Sequence, residues 1–212
     1  GFLAVLPAAP LNDLFFAAYG LLDMTTMPTP EALSAGLFVG FNEELWKLLA
    51  TMFMVRNLAE FNEPADGLVY ATAVAVGFAA FENVVYGLEF GTGILLLRSV
   101  TAMPLHVGVA ALWGYALSRR KFLPKEGLGV VLRFYVLAAV IHGVYDAVIF
   151  AFPEDWGLFS LVISLILSWA LIRAMAGSFR RLTAQSPFIQ AGQCPHCGTL
   201  NSYEAMSCSH CG

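Results

Sequence analysis

Charge, cysteine and the usual hydrolase motifs are all scarce in this chain. Only 12% of its 212 residues are charged and 58% are hydrophobic, whereas soluble chains carry about 25% charged residues. That deficit excludes a soluble globular domain and indicates a polytopic membrane protein. Cysteine is absent before Cys194, so no thiol or disulfide chemistry belongs to the apolar body. Neither His-Glu-x-x-His nor Gly-x-Ser-x-Gly occurs, which removes the zincin helix and the serine elbow as starting points. The formal net charge of −4 says little, because placement of charge matters more than its sum.

What is present is a series of long apolar stretches. A span needs about 20 apolar residues, and candidates run over 33–56, 66–89, 93–117, 130–152 and 156–176. Residues 2–22 make a poorer sixth, interrupted by Pro7, Pro10, Asn12 and Asp13. The chain opens at Gly1 inside a hydrophobic run, which points to an upstream segment, either a signal sequence or a first helix. The expected fold is an all-α polytopic membrane bundle of about six spans (1–181), a polar linker (182–193) and a small cysteine-rich module (194–212).

Basic residues collect in alternate loops: Arg56, then Arg119, Arg120, Lys121 and Lys125 with Arg133 just beyond, then Arg173, Arg180 and Arg181. The intervening loops hold Asp23 and Glu31, Glu89, and Glu154 with Asp155, and no Lys or Arg. The positive-inside rule places the basic loops and the C-terminal tail in the cytoplasm of a multi-pass protein of the inner (plasma) membrane.

Within these spans lie Glu43 and Glu44, Glu82, His106, and His142 with Asp146. An ionised side chain at mid-bilayer costs roughly 2.5–3.5 kcal/mol on insertion scales. Five such charges facing lipid, Lys47 included, would approach ~15 kcal/mol, as much as the whole net stability of a domain, ~5–15 kcal/mol. The acids and imidazoles must therefore face one another or water. At 1.5 Å per residue, Glu44 lies about 16 Å from the outer end of its span, Glu82 roughly 10 Å, His106 about 20 Å and Asp146 about 9 Å. That places the cluster between midplane and outer third, reached from the membrane or the outer side.

Lys47 stands four residues from Glu43 and three from Glu44, so on a helix it neighbours either. One carboxylate can be held by Lys47 while the other faces a cavity as a general base, or all three can lock helix packing. Small residues (Ala71, Ala73, Ala75, Gly77, Ala79, Ala80) let the third span approach its neighbours and carry Glu82 and Asn83 close to them. His142 and Asp146 are one turn apart on one face. His106 follows Pro104, whose missing donor can kink its span; it is a catalytic or a structural histidine. Carboxylate-activated water is the chemistry that best matches these residue types.

In order, Glu43-Glu44-x-x-Lys47, Phe78-x-x-x-Glu82-Asn83 and His142-x-x-x-Asp146 resemble the motifs of the PrsW family, grouped with the CAAX-processing and bacteriocin-processing proteases. Glu63 to Tyr70, Gly77-Phe78, and His106 with Gly114-Tyr115 strengthen the likeness, which covers about residues 40–150. The resemblance implies an intramembrane endopeptidase that uses glutamate and needs no catalytic cofactor. Its substrates would be membrane-anchored proteins cut in site-1 fashion, anti-sigma factors among them. By analogy Glu43 would activate water while His142 and Asp146 hold the nascent oxyanion. The CAAX enzymes have His where this chain has Glu82, and Arg one residue beyond the position of Lys47, so Glu43 and Glu44 both stay candidates for the base.

The tail contains Cys194-x-x-Cys197, ten residues, then Cys208-x-x-Cys211. Two such knuckles can close a tetrahedral four-thiolate zinc site, and a reducing cytoplasm favours metal over disulfides. His196 and His210 are spare ligands. With Glu204 the only charge between the knuckles, the module is not a nucleic-acid reader and suits docking a cytoplasmic protein. The rival readings are a proton- or ion-coupled transporter using the same acids, for which inverted repeats are lacking, and a silent scaffold presenting the ribbon.

Overall fold

A computed structural model describes residues 1–21, 27–123, 126–151, 157–186, 192, 194, 196–199, 201 and 207–211, without the side chains of 157 and 160. The loop charges Asp23, Lys125, Glu154 and Asp155, and Glu204 of the tail, lie outside these residues. Among them every regular element is helical. A 3-10 turn (Phe2–Ala4) leads into α1 (Val5–Ala18), followed by α2 (Thr29–Val55), α3 (Asp66–Phe90), α4 (Thr92–Val100), α5 (Ala102–Phe122), α6 (Leu128–Ala151) and α7 (Gly157–Thr183).

Among the described residues four stretches are long and apolar enough to cross a membrane: Asp66–Phe90, Thr92–Phe122, Leu128–Ala151 and Leu161–Thr183. α2 has the length, at 27 residues, but Glu43, Glu44 and Lys47 make its middle too charged to be read as a span by composition. Residues 2–18 form only a short apolar helix, with Pro10 inside α1. Large apolar side chains point outward, among them Phe53, Leu88, Leu96 and Trp169. That is the surface lipid requires, and together these features mark a membrane protein.

The span expected over 93–117 is two helices. Gly91 at φ 89° ends α3 and opens α4, a conformation that favours glycine. The second break falls at Thr101, φ −113° and ψ −71°. Pro104 sits in the first turn of α5, where a missing N–H lacks a helical acceptor anyway. Thr101 repairs the break: its hydroxyl donates to the Leu97 carbonyl at 2.9 Å and its own carbonyl accepts from Ser168 of α7 at 3.0 Å.

α2 packs chiefly on α6 and α3 on α5, while α5 also touches α6 and α7 and thus runs through the centre. Glycine sets the closest approach. A Cβ at Gly40 would lie 2.4 Å from the Ala139 carbonyl oxygen, and one at Gly114 2.4 Å from the Ala71 Cβ. Both contacts are impossible for a larger residue, so the small-residue faces bring acids on α2 and α3 against histidines on α6 and α5. Beyond residue 181 the helix continues, and Leu182 is buried with Ala65, Leu68 and Ala111. The bundle therefore includes the first residues expected in the linker.

Candidate functional site

The polar residues of α2, α3, α5 and α6 meet in one buried cluster. Lys47 is its hub. Its ammonium lies 2.5 Å from Glu44 Oε1 and 2.9 Å from His106 Nδ1, and 4.7 Å from the centre of the Phe78 ring. Glu44 is fully engaged: Oε1 also meets His142 Nδ1 at 2.9 Å, and Oε2 accepts from the Trp113 indole at 2.9 Å. Glu43, one residue earlier, points to the adjacent sector. Its Oε1 accepts from Asn12 of α1 at 3.1 Å. Its Oε2 is buried and has no hydrogen-bond partner among the described residues.

The two imidazoles are held differently. An ammonium can only donate, so His106 Nδ1 accepts from Lys47 and Nε2 carries the proton toward Glu82 Oε2, 3.1 Å away. His142 places Nδ1 on Glu44 and turns Nε2 toward Asp146 Oδ2 at 3.4 Å and Glu43 Oε2 at 3.8 Å. The rings meet edge to face with centroids 4.8 Å apart.

Sequence reasoning missed Arg98. From α4 its Nη2 donates to Glu82 Oε2 at 3.2 Å, its Nε donates to Asn83 Oδ1 at 3.0 Å, and its guanidinium lies over Tyr86. A lone arginine in an apolar stretch needs an acid partner, and that requirement was the available signal. Asn12, read as a flaw in a span, and Trp113, one aromatic among many, left no such trace. Glu44–Lys47 and Glu82–Arg98 therefore pair, and Glu43 and Asp146 flank His142 with no lysine or arginine paired to them among the described residues. A cavity of about 280 Å³ opens beside Asp146, with Tyr86, Arg98, Thr101 and Tyr145 in its wall.

In the tail the four cysteine sulfurs converge within 4.8 Å of one another. Cys194 and Cys211 are 3.6 Å apart and Cys197 and Cys208 3.5 Å, close to the ~3.8 Å edge of a tetrahedron with 2.3 Å metal–sulfur bonds. Gly198, at φ 73°, makes the turn behind the first knuckle, its N–H donating to the Cys194 carbonyl at 2.8 Å. The Asn201 side chain, then the backbone N–H groups of His210 and Cys211, hold the Cys208 thiol down to about 5. Crowding by the Cys197, Cys208 and Cys194 sulfurs pushes Cys211 up. This cluster can hold a metal ion.

Residues 1–175 match the description "PrsW family intramembrane metalloprotease". The chain belongs to the PrsW family. It is 31% identical to the Protease PrsW of Geobacillus kaustophilus over 76% of this chain and 70% of that protein. It is 29% identical to the Protease PrsW of Bacillus subtilis over 63% and 62%, and 31% identical to that of Clostridioides difficile over 62% and 58%. The chain thus spans 58–70% of the length of these relatives. No solved structure matches it. PrsW membership supports an intramembrane protease over the transporter and scaffold readings.

The family description implies a metal, and Glu43, His106 and His142 bring ligand atoms within 4.8 Å of one another. As arranged, the trio does not fit an ion. The lone pair of His106 faces the Lys47 ammonium and its other nitrogen bears the proton directed at Glu82. Binding an ion there would displace Lys47 and leave Glu44 buried without its cation.

Proposed function

We propose that this PrsW-family chain is an intramembrane endopeptidase whose base is Glu43. The observation that carries the proposal is the contrast on α2: Glu44 has all its contacts made, whereas Glu43 keeps one buried oxygen, Oε2, free. A water beside Oε2 would give up a proton there as its oxygen attacks the scissile carbonyl carbon. His142 as an imidazolium, its Nδ1–H donated to Glu44, would donate from Nε2 to the oxygen that becomes negative, with Asp146 steadying the charged ring. When the C–N bond breaks, the proton on Glu43 passes to the leaving amine. Glu82, held by Arg98 and His106, keeps the wall of the site in place, and the cavity beside Asp146 receives the chain to be cut.

The substrates are membrane-anchored proteins cleaved in site-1 fashion, and the family resemblance points to anti-sigma factors. The basic residues of alternate loops support a C-terminal tail on the cytoplasmic side of the inner membrane. There the four thiolates hold structural zinc and the module docks a cytoplasmic protein, with no part in nucleic-acid binding.

The test is cleavage of a membrane-anchored substrate by purified protein reconstituted in liposomes. Glu43→Gln should abolish turnover in a folded protein, and full activity of that variant would overturn the assignment of the base. The family description favours a second reading, a catalytic ion, which would require Lys47 to leave His106 Nδ1. Stoichiometric metal retained by an active protein lacking all four cysteines would establish it.

A further inference from the structure

The free oxygen on Glu43 has a cause in three neighbouring side chains. The Trp46 indole N–H donates to Asn42 Oδ1 at 3.1 Å. An indole nitrogen can only donate, so this contact fixes which end of the Asn42 amide is oxygen. Asn42 Nδ2 then donates to the Ala8 carbonyl and to Asn12 Oδ1, both at 2.8 Å, which uses its two hydrogens. With its oxygen engaged, Asn12 presents Nδ2 to Glu43 Oε1 at 3.1 Å. No amide in the series can flip: a turned Asn42 would oppose two donors at the indole, and a turned Asn12 would set its oxygen against a carboxylate.

We propose that Trp46, Asn42 and Asn12 form a positioning relay that keeps Glu43 Oε1 an acceptor and so directs the proton taken from water onto Oε2. The proposal rests on Glu43 being the base. A proton on Oε1 would break the bond from Asn12 and set an O–H against an N–H. Oε2 meets no donor within hydrogen-bond distance and lies on the side of His142, 3.8 Å from Nε2. Proton capture and release therefore happen on the one oxygen that faces the reacting groups. α1, the weakest candidate for a span, gains a role: it carries the last donor of the relay to the base.

The test compares Asn12→Leu and Trp46→Phe in purified full-length chain, reading kcat, KM, thermal midpoint and the infrared C=O band of protonated Glu43, identified by its loss in Glu43→Gln. Asn12→Leu should lower kcat about 10- to 100-fold at unchanged KM, the effect of one hydrogen bond to a charged group. Trp46→Phe removes the donor at the head of the relay together with part of a ring packed against Ala4, Val5, Ala8 and Phe78, and should lower kcat about 3- to 10-fold. In Asn12→Leu the C=O band should rise in frequency because the carbonyl oxygen loses its donor, and in Trp46→Phe it should rise by less, because Asn42 is freed to turn and Asn12 is held less firmly on Oε1; a residue that merely packs would not move it. An unshifted band, or unchanged kcat in folded Asn12→Leu, overturns the relay; if Asn12→Leu does not fold, Trp46→Phe alone decides it by the same readouts. Full activity of Glu43→Gln removes the base itself, and a band that still shifts would then show a hydrogen bond without a catalytic role.

Discussion

The two polar centres of this chain are built by opposite means. The intramembrane cluster draws Asn12, Glu43, Glu82, Arg98, His106 and His142 from six helices, and helix packing holds them together before any ligand arrives. The cysteine module draws four cysteines from 18 consecutive positions, 194–211, too few residues to bury a core, so on the proposed reading a metal would supply most of its folding energy. A centre held by the fold should fail residue by residue, each according to its partners. A centre held by a metal should fail all at once and leave the rest untouched.

The sharpest way to break that contrast lies within the Glu43–Glu44 pair. Glu43→Gln should lose at least the 10²–10⁴-fold ascribed to a general base and shift the thermal midpoint little, because Oε2 has no partner to lose. Glu44→Gln should instead destabilise the bundle by about 3–5 kcal/mol, since it leaves Lys47 buried opposite a neutral group. Denaturation in detergent beside turnover separates the two. Equal loss of stability in both would mean that the neighbours do different jobs only on paper.

The cluster was half legible before the fold was known, and the legible half has a physical character. Glu43, Glu44, Lys47, His142 and Asp146 stand out because a titratable group in an apolar stretch is costly and a helix neighbour lies within four residues; Glu82 and His106 stand out by the cost alone, since each finds its partners on other helices. Asn12, Trp113 and Arg98 did not, because their partners lie 31, 69 and 16 positions away. Local spacing cannot report which helices touch; glycines 40 and 114 decide that, and they look like any other small residue in a span. The span expected over 93–117 lies within the apolar stretch Thr92–Phe122, but the break inside it was not legible for a related reason. Apolar composition runs on through Thr101, whereas the backbone breaks there and is repaired by Ser168 on another helix. The convergence of the four cysteine sulfurs was readable because these residues are near one another in sequence.

Arg98 gives a smaller effect that sharpens the comparison. Its pair with Glu82 keeps 17% and 15% of the two side chains exposed, so water screens it more than the Glu44–Lys47 pair, where both are fully buried. Arg98→Gln should therefore cost about 1 kcal/mol or less of stability, well below Glu44→Gln. It should also lower activity about 10-fold, one charge-assisted bond at the wall of the site. Restoring most of that activity with Arg98→Lys would show that charge suffices. No recovery would show that the fork spanning Glu82 and Asn83 is needed.

The smallest expected effect comes from removing the other centre altogether. Cys194→Ser with Cys208→Ser takes one thiolate from each knuckle, and bound metal, measured by elemental analysis, should fall to zero. Turnover of a purified substrate should stay within about twofold, roughly 0.4 kcal/mol, because among the described residues no cysteine sulfur takes part in the cluster around Lys47. Truncation is the stricter version, and where it is made matters. Ending the chain after Arg181 would remove Leu182, which is buried against α3 and α5, so a loss of stability there would be mistaken for a role of the module. Ending it after Ser186 keeps that contact. A protein ending at Ser186 that folds and binds no metal, yet has lost activity on purified substrate, would join the two centres into one and overturn the division of labour drawn between them.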